Sequence, residues 1–419
     1  MAAETKQSNQ STALTSPGYL IPFITVTALF FIFGFITNLN MALVPHLKKI
    51  FDLPYAWAML VESAFFLAYF VFASPTSKLI ETIGYKRTMV VSLFIQVVGC
   101  LLFIPAAMMV SFPLFLTAIF VVGAGVTALQ TSANPYVSIL GPEDTSSIRL
   151  NLAQAFNSIG GTIAPLIAGA FILTDSSKLT PAAIADTVRG PYIFIAAGLL
   201  ILGLAVAFSH LPHVSQTQAF RPGGEGDPVL SRSIWSYRHT VLGALGIGVY
   251  VGVEVGLASI AVNYFKQQGM SSAQTASFLV SLYWFGALVG RLLGSWIMTK
   301  VKAGKLLGIF GFAAAAMVVL SMTTSGNVAI FALVICGFFN SVMFPNIFTL
   351  GIAGLGPMTS KGSGLIMTAV VGGAIIPPLL GALADRFGIQ HALVLPVLCY
   401  LYIAYYGMWG SKPTRTVTA

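Results

Sequence analysis

The chain carries apolar runs of about 20 residues at regular intervals, and a helical run of that length matches the hydrocarbon thickness of a bilayer. They fall at about 20 to 44, 56 to 80, 88 to 107, 113 to 140, 149 to 173, 192 to 211, 239 to 265, 273 to 298, 305 to 323, 327 to 354, 361 to 386 and 391 to 411. Lipid offers the backbone no water, so each run must satisfy its own N–H and C=O groups as a helix. Composition agrees: 8% of residues are charged and 57% hydrophobic, against roughly 25% charged in soluble domains. The expected class is an all-α membrane protein of twelve transmembrane helices.

Those helices come in two copies of one design. NPYVSILGPEDTSSIRLNLAQAFNSIGGTIAPLIAGA (134–170) lines up without a gap with NIFTLGIAGLGPMTSKGSGLIMTAVVGGAIIPPLLGA (346–382), pairing Asn134 with Asn346, Arg149 with Lys361 and Pro165 with Pro377. Internal repetition of this kind is the pattern of duplicated membrane bundles. The expected domains are a tail (1–19), a six-helix bundle (20–211), a linker containing RPGGEGDP (212–238), a pseudo-symmetric second bundle (239–411) and a tail (412–419). The paired Gly-Gly-x-x-x-Pro segments let helices approach closely and bend, and they are expected to mark the interface on which the two bundles rock.

Charge sets orientation rather than partner. Of 21 Lys and Arg, fifteen fall on one side of this topology; the other holds Lys48, Lys49, Lys178, Arg189, Lys266 and Arg386. Basic residues collect on the cytoplasmic side, so both termini, the linker, Arg149 and Lys361 are expected there, with Lys48 and Lys178 outside. The net charge of +9 therefore implies no nucleic acid. No basic segment with a cleavage site precedes the first span, so no signal peptide is expected. Cys100, Cys336 and Cys399 lie within apolar runs, His46, His210, His213, His239 and His391 near helix ends, and neither set has metal or catalytic spacing. An enzyme, a cofactor and a sensor with a soluble output domain are not expected.

Of twelve acidic residues, Glu62 and Glu254 alone lie inside spans. An ionised carboxylate at mid-span costs on the order of 3 kcal/mol on insertion scales, so such residues face a cavity and carry function. Glu254 stands roughly 22 Å into the seventh helix, close to the midplane. Polar solutes are read by amides, carboxylates and aromatic faces, and the spans supply these. Asn151, Gln154, Asn157 and Gly161 share one face of the fifth helix, while Gln130 with Asn134 and Tyr250 with Glu254 are four apart. Asn38, Asn263, Trp284 and Asn340 complete the candidate substrate set, with Glu254 and Glu62 as candidate proton carriers.

Two parallel six-helix repeats resemble the major facilitator superfamily. SKLIETIGYKR (77–87) looks like that family's loop after the second helix, with Ser77 for its first Gly and Glu81 for its Asp; the resemblance gives Glu81, Lys86 and Arg87 a gating role. FGFITNLNMALVPHLKKIF, TSANPYVSILGPE, YVGVEVGLASIAVNY and VGGAIIPPLLGALAD are similar, in order, to segments of the L-fucose/proton symporter family and its glucose/galactose branch. That resemblance implies import of a monosaccharide, commonly a hexose, by proton symport across a bacterial inner membrane, by a monomer. Two positions depart from it. Met41 stands where relatives typically keep an Asp, and Gln130 where fucose carriers keep a Glu. An uncoupled sugar facilitator, or a carrier of another solute such as an amino sugar, stays open beside the symporter. Glucose/galactose members carry a Glu in the context of Glu254.

Overall fold

The computed structural model describes residues 13–51, 55–171, 180–212, 233–269 and 273–413, and their regular structure is helical. The first span, α1, is Leu20–Phe51. The run that follows, Tyr55–Met108, has 54 residues; laid straight it would reach about 81 Å, far beyond a bilayer core of about 30 Å. It turns back at Gly84, whose φ of 80° and ψ of 168° suit a residue without a Cβ. Residues 55–83 are therefore α2 and 85–108 are α3. The reversal is visible in packing on α4 (Phe112–Ile139): Gly123 meets Phe65 and Ala68 of α2, while Gly125, two residues on, meets Ser92 and Gln96 of α3. Then come α5 (Ser146–Phe171), a short helix Pro181–Asp186, and α6 (Arg189–Phe208).

The second half opens with α7 (Arg238–Gln267), α8 (Ala273–Ile297) and α9 (Ala303–Thr323). Its last three spans are broken. α10 is Gly326–Asn340 followed by Met343–Ile352. α11 is Thr359–Thr368, a tight turn Ala369–Val371, then Gly372–Phe387. α12 joins Ile389–Ala392, Val394–Tyr405 and a closing wide turn Tyr406–Gly410. Ten segments of the described chain are long and apolar enough to cross a membrane; one of them, Val61–Met108, holds both α2 and α3. α5 is the remaining span, amphipathic through Arg149, Asn151, Gln154 and Asn157. The result is an all-helical, twelve-span fold.

Glycine seams repeat at the 212 offset. A Cβ at Gly160 would stand 2.1 Å from the carbonyl oxygen of Phe31, and one at Gly372 would stand 2.0 Å from that of Gly248. So α5 lies directly on α1, and α11 on α7. These seams run within each half. Of the four paired glycines Gly373 alone faces the other half, against Phe66; Gly161 meets Asn38 of its own half. The expectation that all of them mark the rocking interface is corrected accordingly.

The two halves are bonded at one end. Ser74 pairs with Thr368 (3.4 Å) and Ser147 with Thr349 (2.6 Å). Asn151 Nδ2 donates to Asn346 Oδ1 (2.9 Å), Ser363 Oγ to the Thr131 carbonyl (2.8 Å), and Ser360 Oγ to Glu81 Oε1 (3.0 Å). The Gly354 N–H reaches Glu143 Oε1 (3.2 Å). All of these sit toward the end that carries the 140–145 and 353–358 loops, the Gly84 turn and the two edges of the linker; it is called the linker end below. Two prolines help to build the seam. Proline has no N–H, so Pro135 and Pro345 leave the carbonyls four residues earlier, Thr131 and Ser341, without their helical donors. Ser363 takes up the first and Arg291 the second (Nε to O, 3.3 Å).

Three basic side chains are buried in the fold. Arg149, expected on the cytoplasmic side at the start of the fifth run, is fully buried at the start of α5. Its guanidinium donates to the carbonyls of Val137 (3.0 Å), Ser138, Gly141 (3.2 Å), Pro142 (3.0 Å) and Leu14 (2.9 Å), and to Thr145 Oγ1 (2.6 Å). The C-terminus of α4 presents unpaired carbonyls and a partial negative charge, and Arg149 answers both. Arg291, counted among the surface bases, is 8% exposed inside the bundle. His239 is buried, its Nε2 2.9 Å from the Ala353 carbonyl. Lys178 and most of the linker (213–232) lie outside the described residues.

Candidate functional site

The middle of α7 organises the site. Tyr250 and Glu254, one helical turn apart, point the same way, and the Tyr250 hydroxyl lies 2.6 Å from Glu254 Oε1 and 3.2 Å from the Asn340 carbonyl oxygen. That carbonyl is the last of the first α10 segment, just before the break. Asn340 turns its Nδ2 to Tyr283 Oη of α8 (2.5 Å), and its Oδ1 is buried without a partner. Trp284 stands edge-on to Tyr283, ring centroids 5.5 Å apart, and is half-buried. A carboxylate, two phenols, an amide and an indole thus converge from α7, α8 and α10.

The first half answers with a similar pair. Gln130 of α4 donates Nε2 to Tyr69 Oη of α2 (2.5 Å). At the 212 offset Gln130 and Tyr69 fall two residues from Asn340 and Tyr283, so each half locks an amide onto a phenol between equivalent helices. Asn134 is fully buried; its Nδ2 faces the Met367 sulfur at 3.6 Å and its Oδ1 has no partner. Gln154 is buried, while Asn157 is half-buried beside Gly34. Asn38 turns its Nδ2 back to the Gly34 carbonyl (2.9 Å), next to Gly161.

Two candidates stand apart. Asn263 is exposed and nine residues beyond Glu254, which on an ideal helix is about 13 Å along the axis and roughly half a turn round. Glu62 is half-buried toward the other end of α2. Among the loop residues, Glu81 bonds across the halves, Lys86 Nζ donates to Ser209 O (2.7 Å) within its own half, and Arg87 is exposed. Together these three line a cleft of about 930 Å³ between the Gly84 turn and the end of α6.

Reasoning from the sequence missed Tyr69 and Arg291. Nothing distinguishes Tyr69 among 14 tyrosines. Arg291 did leave a signal, a cation embedded in FGALVGRLLGSW. Its Nη1 donates to Gln154 O (3.2 Å) and Ser158 Oγ of α5, while its Nε holds Ser341 O.

Two repeated six-helix halves, bonded at one end and bearing amides and one half-buried mid-span carboxyl, define a membrane carrier. The chain belongs to the major facilitator superfamily: that family's model matches residues 25–378. It is 44% identical over 412 residues to a glucose/galactose transporter of Brucella abortus, covering 97% of this chain and 96% of that one. It is 32% identical to an L-fucose–proton symporter of Escherichia coli, over 95% and 94% of the two chains. Among solved structures it superposes on the fucose carrier FucP in an outward conformation with a TM-score of 0.83 at 31% identity, covering 93% of this chain and 98% of the other. The family comprises transporters rather than enzymes.

Proposed function

We propose that the chain imports a hexose, of the glucose or galactose kind, in symport with a proton across a bacterial inner membrane, working as a monomer. The observation that carries this reading is the Tyr250–Glu254–Asn340 cluster at mid-span, together with the identity to glucose/galactose transporters. Sugar hydroxyls donate to the buried acceptor Oδ1 of Asn340 and bond the Glu254 carboxyl; a sugar C–H face packs on Trp284. Gln130, Gln154 and Asn157 contribute from the first half. Glu254 takes the proton, because a carboxylate away from water is stabilised by neutralisation.

The charge bias of the loops makes the linker end cytoplasmic, with both termini there. The seam then closes the carrier to the cytoplasm and leaves it facing outward. Glu81, through Ser360, belongs to that seam.

A facilitator is the second reading, favoured by Met41 and Gln130 standing where relatives keep acids. One experiment separates the two. Purified protein in liposomes is tested for sugar accumulation under an imposed pH gradient and for exchange at equal sugar concentrations, beside its Glu254→Gln variant. The symporter accumulates sugar, and Glu254→Gln exchanges it without concentrating it. Wild type that equilibrates sugar but never concentrates it would establish the facilitator.

A further inference from the structure

A buried guanidinium that bridges the two halves holds the carbonyl next to the one bonded by Tyr250, the partner of the carboxyl assigned to the proton. Arg291 of α8 is 8% exposed, and its hydrogen bonds run to neutral acceptors: Ser341 O in its own half, Gln154 O and Ser158 Oγ in the other. Among the described residues no carboxylate pairs with it within 4.0 Å. Tyr250 joins Glu254 Oε1 (2.6 Å) to the Asn340 carbonyl (3.2 Å), and Arg291 Nε holds the very next carbonyl, that of Ser341 (3.3 Å). The titratable groups that act on Glu254 or on its tyrosine neighbours are Tyr250 on its own helix, Tyr283 and Arg291 on α8, Cys336 of α10 and Tyr400 of α12. Arg291 is the one base among them, so the field it feels depends on whether Glu254 is ionised.

We propose that Arg291 is a positioning residue that ties the charge of Glu254 to closure of the linker end. While Glu254 is ionised, its negative charge compensates the buried cation, and the guanidinium holds α5 against α8 and α10. When Glu254 takes a proton the compensation is lost. A buried charge without a counter-charge is costly, and that cost is relieved when the halves part and water reaches Arg291. Protonation at the site thereby weakens the seam on the opposite side of the sugar, the sign that a symporter requires. Bound sugar supplies the remaining discrimination. This inference rests on Glu254 being the proton-linked residue.

The test is a two-by-two comparison. Ser363, buried in the seam, is replaced by cysteine in a chain whose buried Cys100, Cys336 and Cys399 are changed to alanine; the reporter weakens the seam equally in every variant. Inside-out vesicles are exposed to a membrane-impermeant maleimide, and labelling rates are compared with and without Glu254→Gln, which mimics the protonated state, in Arg291 and Arg291→Gln backgrounds. With Arg291 present, Glu254→Gln should raise the rate several-fold. With Arg291→Gln the rate should be high already and indifferent to residue 254. Equal factors in both backgrounds, or no effect with Arg291 present, overturn the proposal. If Arg291→Gln is not recovered from membranes, Ser158→Ala takes its place: it should raise the basal rate and shrink the Glu254→Gln effect, and failure of either refutes the link. The two readings fail separately. Glu254→Gln that still concentrates sugar under a pH gradient removes the proton role, whereas lost accumulation with equal labelling factors removes the Arg291 link alone.

Discussion

Gly160→Ala places one methyl group where α5 lies on α1. Its Cβ would stand 2.1 Å from the Phe31 carbonyl oxygen and 2.9 Å from the Phe35 nitrogen. Ordinary contact starts near 3.4 Å, so α5 must retreat by about 1.3 Å, and backbone atoms cannot rotate aside as a side-chain tip would. Overpacking of this kind costs typically 1–3 kcal/mol, against which replacing glycine in a helix returns roughly 0.5–1 kcal/mol. The net expectation is destabilisation. Gly198→Ala is the matched control, because a Cβ there meets nothing within 4 Å and only the gain applies. Thermal unfolding of the two variants in one detergent should therefore move in opposite directions from wild type, with Gly372→Ala following Gly160→Ala. A Gly160→Ala protein that melts with or above Gly198→Ala would refute the account of the seam.

Tyr250→Phe removes the one hydroxyl within reach of both Glu254 and the Asn340 carbonyl. A buried group deprived of its partner costs about 1–3 kcal/mol, so apparent sugar affinity should fall roughly 5- to 150-fold; unchanged uptake kinetics would exclude Tyr250 from the site. Arg149→Lys keeps the charge but loses the fork that meets six acceptors, and should lower the yield of monodisperse protein and its melting temperature well beyond Lys361→Ala at the half-buried repeat position. Lys178→Cys should react with an impermeant thiol reagent added to intact cells, and reaction only after permeabilisation would reverse the orientation.

Span number was legible because lipid demands long apolar runs, yet hydropathy reports where lipid ends rather than where a helix ends. Residues 81 to 87 were expected as a loop. Their polar side chains are instead carried on helical turns beyond the apolar core, and Gly84 makes the reversal. Glu254 and Tyr250 were legible through their four-residue spacing. The Gln130–Tyr69 and Asn340–Tyr283 pairs were not, since each joins helices 61 and 57 residues apart in sequence. Asn263 was grouped with the site for its chemistry, but its phase on α7 puts it on the far face. Arg291 escaped because bases were weighed as markers of orientation while acids alone were weighed as intramembrane charges.

The seam at the linker end consists largely of serine, threonine, asparagine and backbone carbonyl bonds, and no ion pair between described residues crosses it. Surface ion pairs weaken as salt rises; neutral bonds do not. Each one parted is replaced by water at a net cost of about 1 kcal/mol, and the Thr131 carbonyl freed by Pro135 becomes hydrated when Ser363 withdraws. The balance between open and closed forms is thus buffered against the ionic strength of the compartment it faces, leaving the Arg291 guanidinium and the carboxyls of Glu81 and Glu143 as the seam's charged components.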